Sequence, residues 1–284
     1  IILTIQLLII LEGKIMFKKK VLSVLFMMVC ILSFTLVGCG QKTSSSNEKD
    51  SSYSKVKDNG KLVVGLCAQY PPFESRNDKT SQIEGFDVDL AKELGKEMNL
   101  KVEIKDAEWE ALLGGVSKGD YDVLITCMSK KEAAEANINT SDTYYKLDDI
   151  IVVNKNNNSI HNKDDLKGKV VGVQTSTSSE QVVDKLDGIK EIKRYNRNPE
   201  AFIDLKNNRI DAVVVGYAYA ATAMKDKKDD NLKIINSPVG SSDIVMVTKK
   251  GSNDLTKELN KALKKVKESG KYEEIKNKWL SLEK

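Results

Sequence analysis

Residues 109–125 read WEALLGGVSKGDYDVLI and residues 199–215 read PEAFIDLKNNRIDAVVV. Both carry Glu-Ala followed by apolar residues, then a polar turn, then an aspartate that opens an apolar run. Each is therefore read as a helix, a turn and a short strand. Working outward from the first copy, Leu62–Cys67 is a short apolar strand. Phe86–Met98 has apolar residues at Phe86, Leu90, Leu94 and Met98, near helical spacing, and Val102–Ile104 is extended. Outward from the second copy lie a strand at 169–173 (KVVGV), a helix over Thr177–Leu186 and a strand over Glu191–Tyr195. Both series run β-α-β-α-β, the pattern of a mainly parallel sheet flanked by helices. The fold class expected is α/β in two similar lobes. Extended segments around Asp148–Val153 and Asp243–Thr248 serve as crossovers, with hinge residues near Ile150–Val153 and Ile244–Val247. Helices over Asp254–Lys267 and Tyr272–Leu280 return to the first lobe. In open parallel sheets ligands bind outside the carboxyl ends of the strands, so two lobes facing each other that way form a cleft.

The chain has 284 residues, 40% hydrophobic and 30% charged, which fits one large or two medium domains. Its formal charge of +4 is mostly N-terminal, where Lys14, Lys18, Lys19 and Lys20 outnumber the single acid Glu12. The remainder is nearly neutral, and a nucleic-acid partner gains no support from it. From Met16 the sequence runs through three lysines and an apolar stretch from Val21 to Val37 to Gly38-Cys39, the arrangement of a secretory signal over residues 16–38. Residues 1–15 have no such character and read as an upstream extension. Residues 39–59 are rich in Ser, Lys, Asp and Asn and read as a flexible tether. The lobes are placed at residues 60–150 with 243–284, and at 151–242.

Five stretches carry a family resemblance: LVVGLCAQYPPFE (62–74), GFDVDLAKELGKEM (85–98), WEALLGGVSKGDYDVLI (109–125), SDTYY (141–145) and KGKVVGVQTSTSSE (167–180). Together they resemble the polar amino-acid solute-binding proteins that feed ABC importers. The resemblance implies a two-lobed periplasmic-binding-protein fold that closes on a small polar ligand and presents it to a permease. Leu36-Val37-Gly38-Cys39 resembles the lipobox of bacterial lipoproteins, which implies acylation of Cys39 and a protein held on the extracellular face of the cell membrane. A monomer with no cofactor, no metal and no catalytic residue is expected.

Residue by residue, the resemblance implies ligand contacts from the aromatic rings of Tyr70, Phe73 and Trp109. It implies hydrogen bonds from Thr126, Cys127 and Ser129, and a carboxylate site at the hydroxyls and amides of Thr177 and Ser178. Two anchors depart from the family's pattern. Aligned through SDTYY, the arginine that forks onto a ligand carboxylate falls at Ala134, and the aspartate that takes the ligand amine falls at Gly216. Lys131, beside Lys130, and Tyr217, beside Tyr219, are candidate substitutes. The expected ligand is an amino acid or a derivative with less zwitterionic character. The acid that relatives taking basic ligands carry near the end of the first strand is replaced by Cys67. Cys67 and Cys127 could form a disulfide, bind a soft metal or, the favoured reading, be small polarizable residues of the cleft. Two other classes share the fold: a binding protein that signals to a membrane receptor, and a small-carboxylate dehydratase. The single histidine, His161, sits in a polar turn and carries no catalytic motif.

Overall fold

A computed structural model describes residues 50–134, 136–226 and 231–281. The extension, the signal segment, Cys39 and the tether up to residue 49 lie outside the described residues. Eleven described strands alternate with helices. The first half holds β1 (Lys61–Leu66), a small antiparallel sheet of β2 (Gln69–Tyr70), β3 (Glu74–Arg76) and β4 (Ile83–Glu84), then β5 (Lys101–Asp106) and β6 (Val123–Leu124). The second holds β8 (Val170–Gln174), β9 (Glu191–Tyr195) and β10 (Ala212–Gly216). Two long strands, β7 (Ile138–Asn154) and β11 (Leu232–Lys249), pair antiparallel with each other and pass through both halves. One eight-stranded sheet results, in the order β5-β1-β6-β11-β7-β10-β8-β9. Each half keeps three parallel strands, and the antiparallel pairings all involve β7 or β11.

The two sequence copies that suggested the fold do the same work in each half. Asp122, which opens β6, accepts the Val63 N–H of β1 at 2.8 Å, and Asp211, just before β10, accepts the Val170 N–H of β8 at 2.7 Å. Each central strand also has a glycine where a neighbour leans in. A Cβ at Gly65 would strike Tyr121, and one at Gly172 would strike Ile210. Close approach, rather than backbone freedom, requires glycine there.

The crossover positions differ from expectation. Ile150 and Val152 bury themselves on one face of the second-half sheet, and Ile151 and Val153 on the other. Ile244 and Met246 on one side, with Val245 and Val247 on the other, do the same for the first half. Alternation of this kind is strand core, so these segments run as continuous strands within their own halves. The stretch linking the halves is Lys146–Asp149 against Gly240–Asp243, four paired positions in which Lys146, Asp148, Ser241 and Asp243 are exposed.

The helices are α1 (Ser52–Asp58), α2 (Phe86–Glu97), α3 (Trp109–Lys118), α4 (Lys130–Ala134), α5 (Ser178–Val183), α6 (Asn198–Lys206), α7 (Tyr217–Asp226), α8 (Asn253–Glu268) and α9 (Lys271–Leu280). α1 corrects the tether expected to reach residue 59. Val56 joins the first-half core, Asp50 accepts the Asp254 N–H at 2.7 Å, and Ser52 accepts the Leu255 N–H at 3.1 Å. Low apolar content does not preclude order when two polar side chains cap a neighbouring helix. Among the described residues no helix is long and apolar enough to cross a membrane.

Candidate functional site

The carboxyl ends of the parallel strands from both halves converge on a cavity. β1 and β6 bring Cys67, Thr126 and Cys127 to its wall. β8 brings Gln174, the turn after it brings Thr177 and Ser178, and β10 brings Val215. Two aromatic rings flank this space. Trp109, the first residue of α3, lines it and donates its Nε1–H across the cleft to the Ser176 carbonyl at 3.1 Å. Tyr70 also lines it and stacks on Tyr219 of the second half, with centroids 4.8 Å apart and planes 15° from parallel. At the mouth Arg197 pairs with Glu108 at 2.7 Å, and Thr175 donates to Glu110 at 3.1 Å.

Two carboxyl groups, Glu74 and Glu132, stand on the polar wall. Glu132 sits at the third position after Ser129, whose hydroxyl accepts the Glu132 N–H at 3.1 Å while Oε2 of Glu132 accepts the Ser129 N–H. This reciprocal pair is a capping box. It orients the carboxyl so that Oε1 crosses the cleft and accepts the Ser178 N–H. Burial pushes Glu132 up to about 7, against the lowering effect of its bonds to Ser129 and Ser178, and nearby Asp149 adds to the rise. Asp149 is buried, accepts from the Ser179 hydroxyl, and leaves Oδ2 without a partner. Its carboxyl too is raised by burial.

A second acid pair is formed by Glu74, on the wall, and Asp87 behind it. Oε1 of Glu74 accepts from the Thr126 hydroxyl at 2.9 Å, and Oδ2 of Asp87 accepts from the Cys127 N–H and from the Tyr144 hydroxyl at 2.9 Å. The remaining oxygens, Glu74 Oε2 and Asp87 Oδ1, meet no hydrogen-bond donor of another residue, and the two carboxyls interact with each other. Burial raises Glu74 well above the ordinary range, with the neighbouring Asp87 charge adding to it, and burial lifts Asp87 to about 7. The same surroundings push the Cys67 thiol up to about 12 and the Cys127 thiol upward as well, so both are protonated and unreactive. Both are free cysteines. Among the described residues no three His, Cys, Asp or Glu are grouped as a metal site requires.

Six of the expected contact residues line the cavity, Tyr70, Trp109, Thr126, Cys127, Thr177 and Ser178, with Cys67 beside them. Phe73 does not. It is fully buried in the first-half core against Phe86 and Tyr145, because the hairpin turns its ring inward. Ser129 is buried and serves as the cap of Glu132 rather than as a wall residue. Lys131 is exposed and lies away from the wall, and Tyr217 is half-buried against the second-half core. The carboxylate site expected at Thr177 and Ser178 is also changed: Thr177 caps α5 by accepting the Glu180 N–H at 3.3 Å, and the Ser178 N–H is taken by Glu132. Ala134 is exposed, and the side chain that α4 sends to the cavity is Glu132. Counting back from SDTYY missed it, whereas the Ser129-x-x-Glu132 capping spacing was readable in the sequence.

The model of the bacterial extracellular solute-binding proteins, family 3, matches residues 62–282. The chain is 29% identical over 263 residues to the L-cystine-binding protein TcyA of Bacillus subtilis, covering 92% of this chain and 97% of that one. It is 30% identical over 271 residues to the ABC transporter glutamine-binding protein GlnH of the same organism, again covering 92% and 97%. Among solved structures, the P235GK mutant of ArgBP from T. maritima superposes with a TM-score of 0.73 at 35% identity, covering 81% of this chain and 99% of that one. With a matched span from β1 to α9, relatives aligned nearly end to end and a solvent-lined cavity between two halves, the chain belongs to the bacterial extracellular solute-binding proteins, family 3, the amino-acid-binding proteins of ABC transporters.

Proposed function

We propose that this protein is a lipid-anchored solute-binding protein that captures a small polar solute, an amino acid or a derivative of one, by closure of its halves and delivers it to an ABC importer. The observation that carries the reading is the cavity itself. Its two walls come from different halves, and its aromatic rings and hydrogen-bonding groups meet across the cleft at Trp109–Ser176, Tyr70–Tyr219 and Glu132–Ser178. A site divided in this way is completed only when the halves close, so ligand binding and closure are one equilibrium. Lys146–Asp149 and Gly240–Asp243 are the segments that flex. Tyr70, Trp109, Thr126, Cys127 and Thr177 contact the solute, and Cys39 carries the lipid. The relatives are described as binding cystine and glutamine, two solutes of different size, so the side chains of this cavity choose the ligand. Binding rather than turnover is the favoured reading because the buried carboxyls are engaged by Thr126, Cys127, Tyr144, Ser129, Ser178 and Ser179.

Native mass spectrometry of the full chain, purified without added ligand, tests this directly. A small molecule is expected to leave the cavity on activation, and the same spectrum reads whether the mature chain begins at an acylated Cys39. Added back at about 100-fold over Kd, that molecule contributes about 2.7 kcal/mol and raises the thermal midpoint by roughly 5–10 °C. A chain that carries nothing and responds to no small polar solute refutes the reading.

A further inference from the structure

The contact between Glu132 and Ser178 has no counterpart elsewhere in the cleft, because it places a side-chain carboxylate of one half on a main-chain donor of the other. An N–H of this kind, at the start of a helix capped by Thr177, is a donor that a bound anion would use. Here Glu132 uses it, held in position by both bonds to Ser129. Glu74 lines the cavity and is linked to Asp87, and Asp149 stands behind Ser179 with an oxygen lacking a partner. Among the described residues, the one cation on the wall, Arg197, is engaged with Glu108 at the mouth.

A ligand carboxylate entering this space would meet like charge at short range in a poorly solvated site and would find the Ser178 donor occupied. A cation would meet the opposite field. We infer that Glu132 sets the ligand class: its carboxylate takes the place of a ligand carboxylate at the Ser178 amide, so the solute is an amine or guanidine without a free carboxylate. This inference rests on the binding-protein reading above and narrows its substrate.

Calorimetric titration of the full chain at pH 8 decides it, using arginine against its decarboxylated analogue agmatine, and lysine against 1,5-diaminopentane. In the wild type the decarboxylated member of at least one pair should bind about tenfold or more tightly than its amino acid, the factor lost with one charge-assisted hydrogen bond. Glu132→Ala frees the Ser178 amide and should shift that ratio about tenfold toward the amino acid. Glu132→Gln retains the shape, removes the charge, and should weaken the decarboxylated ligand without unfolding the chain. If arginine or lysine binds the wild type as tightly as its analogue, or if a free amino acid or an uncharged solute proves to be the tight ligand, the role of Glu132 falls while the binding-protein reading stands. If the chain binds none of these and no small solute at all, both fall together.

Discussion

Gly216 ends β10 where the hydroxyl of Tyr70 and the side chain of Leu147 press against the backbone, and a Cβ there would overlap both. Tyr70 cannot easily retreat, since it is stacked between Phe73 at 5.9 Å and Tyr219 at 4.8 Å. Gly216→Ala should therefore destabilise the protein by about 1–3 kcal/mol through overpacking. Gly114, within α3, has nothing near its would-be Cβ, so Gly114→Ala should stabilise by about 0.5–1 kcal/mol. Urea melts of the two variants beside the wild type provide the check, and equal midpoints would show that Tyr70 does not press on Gly216. The aspartate looked for at position 216 is excluded by the same packing. Glu132 shows the converse at this scale: its identity is visible in the sequence, but its direction is set by Ser129 and by a partner 46 positions away.

Among the elements, α1 is the one that composition alone misassigned. It supplies a buried Val56 to the first-half core, and its leading residues satisfy two N–H groups in the first turn of α8, which α8 cannot bond internally. Deleting residues 50–58 should remove a cap worth about 0.5–2 kcal/mol and a burial worth about 1.5–3 kcal/mol. A fall in the chemical-denaturation midpoint, with the m-value little changed, is the expected result. An unchanged midpoint would mean that α1 is only loosely attached. α2, α3, α6, α8 and α9 were legible within a residue or two because their apolar spacing is sustained over nine residues or more. α4, α7 and the β2-β3-β4 sheet were not, since each is short or lacks a clear amphipathic period, and its shape is imposed by what it packs against.

For the molecule as a whole, buried acids govern the response to pH. Glu132 and Asp87 are pushed up to about 7 in the folded chain, and Glu74 is raised well above its ordinary range, against ordinary values of 4.5 for glutamate and 3.8 for aspartate. For such groups the folded chain keeps protons that the unfolded chain has already lost. Their stabilising effect is complete below the unfolded values and declines as pH rises toward 7. Asp204 acts in the opposite sense: bonds from Lys193, Tyr195 and Arg209 hold it at about 2, so its contribution is lost as pH falls below 3.8. Thermal melts of the unligated protein should therefore show the midpoint falling between about pH 4.5 and 7. Glu132→Gln should flatten part of that slope. The groups facing Glu132 are Asp149, with Lys131 acting on it, and the thiol and phenol of Cys127 and Tyr70, which stay neutral throughout. A slope of the opposite sign across this range would overturn the burial account.

By itself the sequence determined the two α/β halves, the order of their principal strands and helices, and the residue types at the strand ends. These are read from periodicity and turn residues, which act over a few neighbouring positions. Tertiary structure alone decided that β7 and β11 join both halves in one sheet, and that Phe73 turns inward while Tyr70 turns outward. It also decided that Glu132, rather than a ligand, fills the Ser178 amide. Each of these depends on which distant surfaces meet when apolar side chains leave water, and no local pattern encodes that meeting.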